Sequence, residues 1–286
     1  MTRIAAGPSR RAAAGLEVMS AMHTFLIVLL SCLALTDAAA GADTAAPQAS
    51  DPRAVAVADQ VLEALGGKSA WDATRYLRFD FAVEVDGKPV MTRSHWWDKY
   101  TGRYRLEART KEGDPYLVLM NLNTKQGSAW LKGRALQADE LKSYLDKGYA
   151  IWVNDTYWLL MPYKMKDSGV ILRLDGEARE GGAAWDKVLL TFDKVGLTPK
   201  DRYWAFVNRA SHLVDRWEFI LQGEKGPASR FDWSGWQRYG RIMLSSTRLN
   251  AKDKEKILFP VLAVSESMPD SVFSSPDPVS ADLRTP

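Results

Sequence analysis

The feature that most limits the possible folds of this chain is the change of period at Tyr76. From there Leu77, Phe79, Phe81, Val83 and Val85 alternate with Arg78, Asp80, Ala82 and Glu84. Strict alternation is the pattern of a strand with one buried face, because successive side chains leave a strand on opposite sides. Asp86-Gly87 then supplies a hairpin turn, and the chain returns through Pro89–Asp98. Thr101-Gly102 turns it again into Arg103–Ala108, and strands are expected at Tyr116–Asn123 and Ser128–Lys132. Short strands at this regular spacing form an antiparallel meander.

Helices flank and interrupt the meander. Asp51 suits an N-cap and Pro52 the first helical position. Ala54, Ala58, Val61, Leu62 and Leu65 recur at helical spacing before Gly66-Gly67, which stops the helix. A second helix is expected over Gln137–Trp152, with Leu141, Tyr144, Leu145 and Ile151 on one side. Asn154 or Asp155 then caps a short third helix through Met161, stopped by Pro162. Strands resume at Val170–Glu177, Trp185–Asp193, Arg202–Asn208, Leu213–Leu221, Arg230–Trp236, Arg241–Leu249 and Lys256–Ser267. The expected class is therefore α+β, mainly antiparallel: one curved, unclosed barrel-like sheet covered by a few helices. One domain is expected over 51–273, and the proline-broken stretch 274–286 reads as a loose tail.

The start of the chain reads as an export signal. Phe25–Leu35 is an apolar run of secretory length, too short for the ~20 residues of a membrane span. Ala38-Ala39-Ala40-Gly41-Ala42 supplies small residues for cleavage after Ala40 or Ala42, so residues 1–42 are read as a signal peptide. Met19 and Met22 are alternative starts, because twenty residues make a long positively charged region. Residues 43–50 read as a flexible spacer. Ser9-Arg10-Arg11 weakly echoes a twin-arginine signal but lacks the apolar residue expected after it. Cys32, the only cysteine, ends Leu29-Leu30-Ser31-Cys32, a partial lipobox, which leaves an acylated, outer-membrane-anchored form as the alternative to a periplasmic one. Ordinary cleavage would leave no thiol, in keeping with an oxidising compartment.

Little in the chain points to catalysis. The net charge is +3 with both signs interspersed, so no basic face favours nucleic acid. Cleavage leaves His95 in a strand and His212 at a turn, without a zinc-ligand spacing. Gly-x-Ser-x-Gly and Gly-rich phosphate loops are absent. No metal or cofactor is expected, and the chain is read as a non-enzyme. A hydrolase remains an alternative, through paired carboxylates or His95 with an acid.

Eleven Trp and ten Tyr are the unusual part of the composition. A strongly curved sheet has a concave face too wide for its own side chains, so helices cover it and an apolar pocket is expected between the layers. Candidate lining and lid residues are Phe79, Phe81, Trp130, Tyr157, Trp158, Leu160, Met161, Trp204, Trp217 and Phe219. The bland reading of each is ordinary core.

Several phrases resemble a known family. These are Gly66-Gly67-Lys68-Ser69-Ala70-Trp71, Trp97-Asp98-x-x-Thr101-Gly102-x-Tyr104-Arg105 and Asn154–Lys164, with Arg216-Trp217-Glu218-Phe219 and Pro269–Phe273. Together with the order of elements they resemble the LolA/LolB-type lipoprotein carriers and the uncharacterised outer-membrane lipoprotein-sorting proteins related to them. The resemblance spans roughly 51–276. It implies an unclosed barrel with a helical lid over a hydrophobic cavity, and a periplasmic carrier for an acyl chain, lipoprotein or other lipophile. The competing expectation is a structural or interaction module of the outer membrane with a filled core.

Overall fold

In the computed structural model, residues 49–193, 195 and 197–285 are described. The signal peptide, Cys32 and nearly all of the expected spacer lie outside them. Among the described residues no helix is long and apolar enough to cross a membrane.

Fourteen strands form one antiparallel sheet. They are β1 (Tyr76–Val85), β2 (Lys88–Asp98), β3 (Arg103–Arg109), β4 (Pro115–Asn121), β5 (Gln126–Leu131), β6 (Arg134–Ala135), β7 (Val170–Glu180), β8 (Ala183–Phe192), β9 (Arg202–Asn208), β10 (Val214–Ile220), β11 (Ser229–Tyr239), β12 (Ile242–Asn250), β13 (Glu255–Leu258) and β14 (Leu262–Ser265). The order runs β6-β5-β4-β3-β2-β1-β13-β12-β11-β10-β9-β8-β7, and β6 and β7 do not meet, so the sheet is unclosed. Among the described residues the only pairing between strands far apart in sequence is at β1, which joins the two meanders. The strand expected over Lys256–Ser267 is broken at Pro260, whose missing N–H cannot serve a ladder. β13 therefore pairs with Ala82–Val85 and β14 with Tyr76–Phe79. Asp80 N donates to Val261 O across the break, at 3.0 Å.

Helix α1 (Pro52–Ala64) begins as expected, with Asp51 Oδ1 accepting from Arg53 N at 2.9 Å. Gly66, at φ 117°, ends it; a Cβ there would lie 2.6 Å from Arg241 O. Asp51 N donates to Leu172 O, and Leu172 N donates to Ser50 Oγ, so residues 50 and 51 cover the free edge of β7. Helix α2 (Gly67–Ala73) follows.

The central helical region differs from expectation. One helix, α3 (Ala138–Lys164), replaces the two, and Pro162 lies inside its last turn. Pro162 stops the helix only two residues later, since few backbone bonds remain for its ring to disrupt. Asp155 does not act as a cap because its side chain is engaged by the sheet. Helix α3 packs on β4, β5 and β12; α1 packs on β7, β8 and α3. Helices that touch each other while reaching opposite halves of the sheet occupy one concave face.

The C-terminal stretch is not loose. Helices α4 (Ser271–Ser274) and α5 (Ala281–Arg284) dock on the opposite face of β1–β3. Met268, Val272 and Val279 form a small core with Tyr76 and Trp96, joined by Phe273 and Leu283. Arg105 of β3, 1% exposed, donates to the carbonyls of Val272, Ser275 and Asp277. Trp96 Nε1 donates to Leu283 O. A proline-rich composition predicts missing regular structure, not missing contacts: the buried arginine fixes the irregular backbone through its carbonyls.

Candidate functional site

The face of the sheet beneath α3 carries two neighbouring regions, one aromatic and one polar. In the aromatic region Trp158 of α3 stacks on Trp217 of β10, ring centroids 4.7 Å apart at 11°. Trp158 also meets Phe219 and Phe231 edge-on. Tyr157 packs against Phe192, Tyr203 and Trp217. Trp217 continues onto Trp233 of β11 at 5.7 Å. Towards β1, Phe259 bridges Phe79 and Phe81. Each such pair is worth ~0.5–1.5 kcal/mol beyond its area, so this face is cohesive. At the cover, Leu159, Leu160 and Met161 are each 1% exposed, so the segment expected to roof a void is itself closely packed.

Six of the ten residues singled out from the sequence belong to this layer, Phe79, Phe81, Tyr157, Trp158, Trp217 and Phe219, and Leu160 and Met161 are buried on the covering helix. Trp130 and Trp204 do not belong to it. Trp130 pairs in register with Leu117, whereas α3 packs on Tyr116 and Val118. It therefore faces away, in a shallow groove with Arg103, Leu119 and Phe273. Trp204 lies between the inward Tyr203 and Ala205, pairs with Glu218, and donates from Nε1 to Asp175 on the outer face. Aromatic content cannot report face; only the register can.

The polar region lies between α3 and β2–β3. Asp155 Oδ2 is 3.3 Å from Arg93 Nε and 3.1 Å from His95 Nε2. His95 Nδ1 is 2.8 Å from the Tyr104 hydroxyl, and Phe79 stacks on the imidazole at 4.3 Å. His95, Asp155 and Tyr104 are fully buried and Arg93 is 5% exposed. Burial holds the His95 pKa down, against the pull of Asp155, and drives the Tyr104 phenol well up. Neutral imidazole and protonated phenol agree on one tautomer: Tyr104 O–H donates to Nδ1, and Nε2–H faces the carboxylate. A His–Asp pair thus exists, as the hydrolase alternative required. Both side chains are fully buried, however, and the other ring nitrogen is taken by Tyr104 instead of a nucleophile. Among the described residues no group of three His, Cys, Asp or Glu is placed to hold a metal.

A second buried cation lies on the same face. Arg248 of β12 is opposite Trp233 in register, and its guanidinium sits 3.8 Å above the Trp233 ring and 4.8 Å from Phe259. It is 0% exposed and has no carboxylate partner among the described residues. Sequence reasoning missed Arg93, Asp155, Tyr104 and Arg248. For Arg93 and Arg248 a signal existed: each takes the inward parity of its strand, set by His95 and by Trp233's partner position. An arginine on that parity is either paired under the cover or an exception that asks for a partner.

Comparison with known proteins sets these features in context. No family model matches the chain, and no curated protein matches it. Among solved structures it is similar to a DUF1329 family protein from Desulfovibrio piger, at 14% identity and TM-score 0.46, covering 77% of this chain and 96% of that one. A LolA superfamily protein from Nitrosomonas europaea gives 11% and 0.45, with the same coverages of 77% and 96%. An outer membrane lipoprotein-sorting protein domain from Vibrio parahaemolyticus gives 10% and 0.44, again covering 77% and 96%. At these values the likeness assigns no function; the fold class rests on the sheet order and its helical cover.

Proposed function

We propose that this chain is a non-enzymatic binding or carrier protein of the cell envelope, for an acyl chain or another lipophilic ligand. The observation that carries the reading is the aromatic layer from Phe79 through Phe259, Trp233 and Trp217 to Phe219, covered by one helix on a sheet that does not close. An unclosed sheet can widen without losing a ladder bond, and burial of a lipid chain against it yields ~25 cal/mol per Å². The apolar run Phe25–Leu35 and the small residues that follow it support work in the periplasm, and Cys32 supports the anchored alternative. Trp158 stacks on Trp217 across this layer, so entry of a ligand between them requires α3 to rise from the sheet.

The close packing of Trp158 on Trp217 favours a second reading, a structural or interaction module with a filled core. A neutral lipophilic dye such as N-phenyl-1-naphthylamine separates the two. Under the carrier reading its fluorescence rises on adding the purified protein, and lipid extracts of protein taken from a bacterial envelope contain acyl chains. No dye signal together with lipid-free protein leaves the module.

A further inference from the structure

The environment of Arg248 is incomplete in one specific way. Its Nη1 donates to Ser245 O at 2.7 Å and to Ser245 Oγ at 3.0 Å. Nε and Nη2 are buried and have no hydrogen-bond partner. Those two N–H groups form one edge of the guanidinium, the side-on fork that matches two oxygens of a carboxylate or phosphate. Arginine keeps its charge in proteins, and a buried charge without a partner is among the costliest arrangements a core can hold. The two flanking rings offer only quadrupole attraction to their faces. Arg93, by contrast, has Asp155.

The neighbourhood is also rich in donors and poor in acceptors. Trp233 Nε1 and Trp217 Nε1, on the rings that follow Arg248 along the layer, are buried and unpartnered too. An acceptor brought from outside would complete the free edge of Arg248, which a plain hydrocarbon would not.

We propose that Arg248 is the head-group site of the covered face: its free Nε–Nη2 edge receives the oxyanion of an amphiphile whose acyl tail lies along the aromatic layer. The inference rests on the lipophile-binding reading and adds the chemistry of the head, a carboxylate or a phosphate ester. Trp233 and Phe259 flank the guanidinium, and the tail runs from there towards Trp217 and Trp158 on one side and Phe79 on the other. A neutral lipid of equal length offers only an uncharged acceptor and leaves the buried charge unpaired, so head charge decides affinity.

The test is competition against N-phenyl-1-naphthylamine bound to the full chain, using oleate, 1-oleoyl-lysophosphatidate and oleyl alcohol below their micelle concentrations. The expected result is that at least one anionic competitor displaces the dye at a concentration at least tenfold below that of the alcohol. Whichever anion wins identifies the head as carboxylate or phosphate. In Arg248→Met the advantage falls to about onefold, and Arg248→Lys, which keeps the charge but loses the fork, lies between. If Arg248→Met does not fold, the Lys variant and the difference in melting shift that oleate and oleyl alcohol give the native chain decide instead. Equal displacement by acid and alcohol, or an unchanged ratio in the variants, overturns the head-group site while leaving lipophile binding intact. Absence of any dye signal together with lipid-free protein overturns lipophile binding itself, and this site with it.

Discussion

Asp155, near the middle of α3, brings Oδ2 to 3.1 Å from Nε2 of His95 on β2, and neither side chain touches solvent. The same oxygen lies 3.3 Å from Arg93 Nε. A single helix residue therefore carries the charge balance between cover and sheet. Asn154 Nδ2 supports it by donating to Asp155 Oδ1 at 2.8 Å.

Removing that carboxylate strands a cation. Asp155→Ala is expected to destabilise the protein by about 3–5 kcal/mol, the cost of breaking a buried pair on one side. The double variant Arg93→Met, Asp155→Leu is expected to recover most of the loss, since no uncompensated charge remains. Urea unfolding of the three proteins measures both effects; a double variant as unstable as the single would refute the charge-balance account.

His95 makes stability fall in acid. Its pKa is lowered on folding from an ordinary value of 6.5 because burial disfavours the imidazolium. The unfolded chain therefore binds the proton first, so the contribution is complete above about pH 6.5 and is lost as pH drops below it. Relative to the native chain, His95→Gln is expected to show a flatter stability curve between pH 6.5 and 4.5. Parallel curves would count against it.

Asp98 works in a lower window. It is buried at the end of β2, and burial alone would raise its pKa. Bonds from Arg75, Thr101, Arg103 and Tyr100 N outweigh that and bring it to about 2. Its contribution is therefore present above the ordinary carboxylate value of 3.8 and disappears as pH falls towards 2. Asp98→Asn is expected to cost about 2 kcal/mol at pH 7 and almost nothing near pH 2, as read from thermal melts at the two pH values.

The C-terminal segment is structural. Ending the chain after Ser274 deletes two of the three carbonyls that Arg105 uses, the acceptor of Trp96 Nε1, and the buried Val279. Each lost bond to a charged group costs about 1.5–3 kcal/mol. The truncated protein is expected to melt well below the full chain and to show raised tryptophan emission quenching by iodide. An unchanged melting temperature would mean the segment only rests on the sheet.

Local chemistry made the strands legible. Tyr76–Val85 follows from alternation alone, and the Asp51 cap and Gly66 stop follow from their neighbours in sequence. Local chemistry also misled at α3. Asn154-Asp155 has the composition of a cap, yet the helix passes through it because Asp155 gains more from Arg93 and His95 than from a backbone amide.

By itself the sequence determined the period of each element and therefore the existence of a large antiparallel sheet with one apolar face, because alternation and helical spacing are properties of neighbouring residues. Only the tertiary structure decided which face Trp130 and Trp204 take, that residues 275–285 dock, and that Arg93 finds a carboxylate while Arg248 finds none. Those outcomes depend on cross-strand register and on helix placement between residues distant in the chain, where a one-residue shift in pairing exchanges the two faces of a strand.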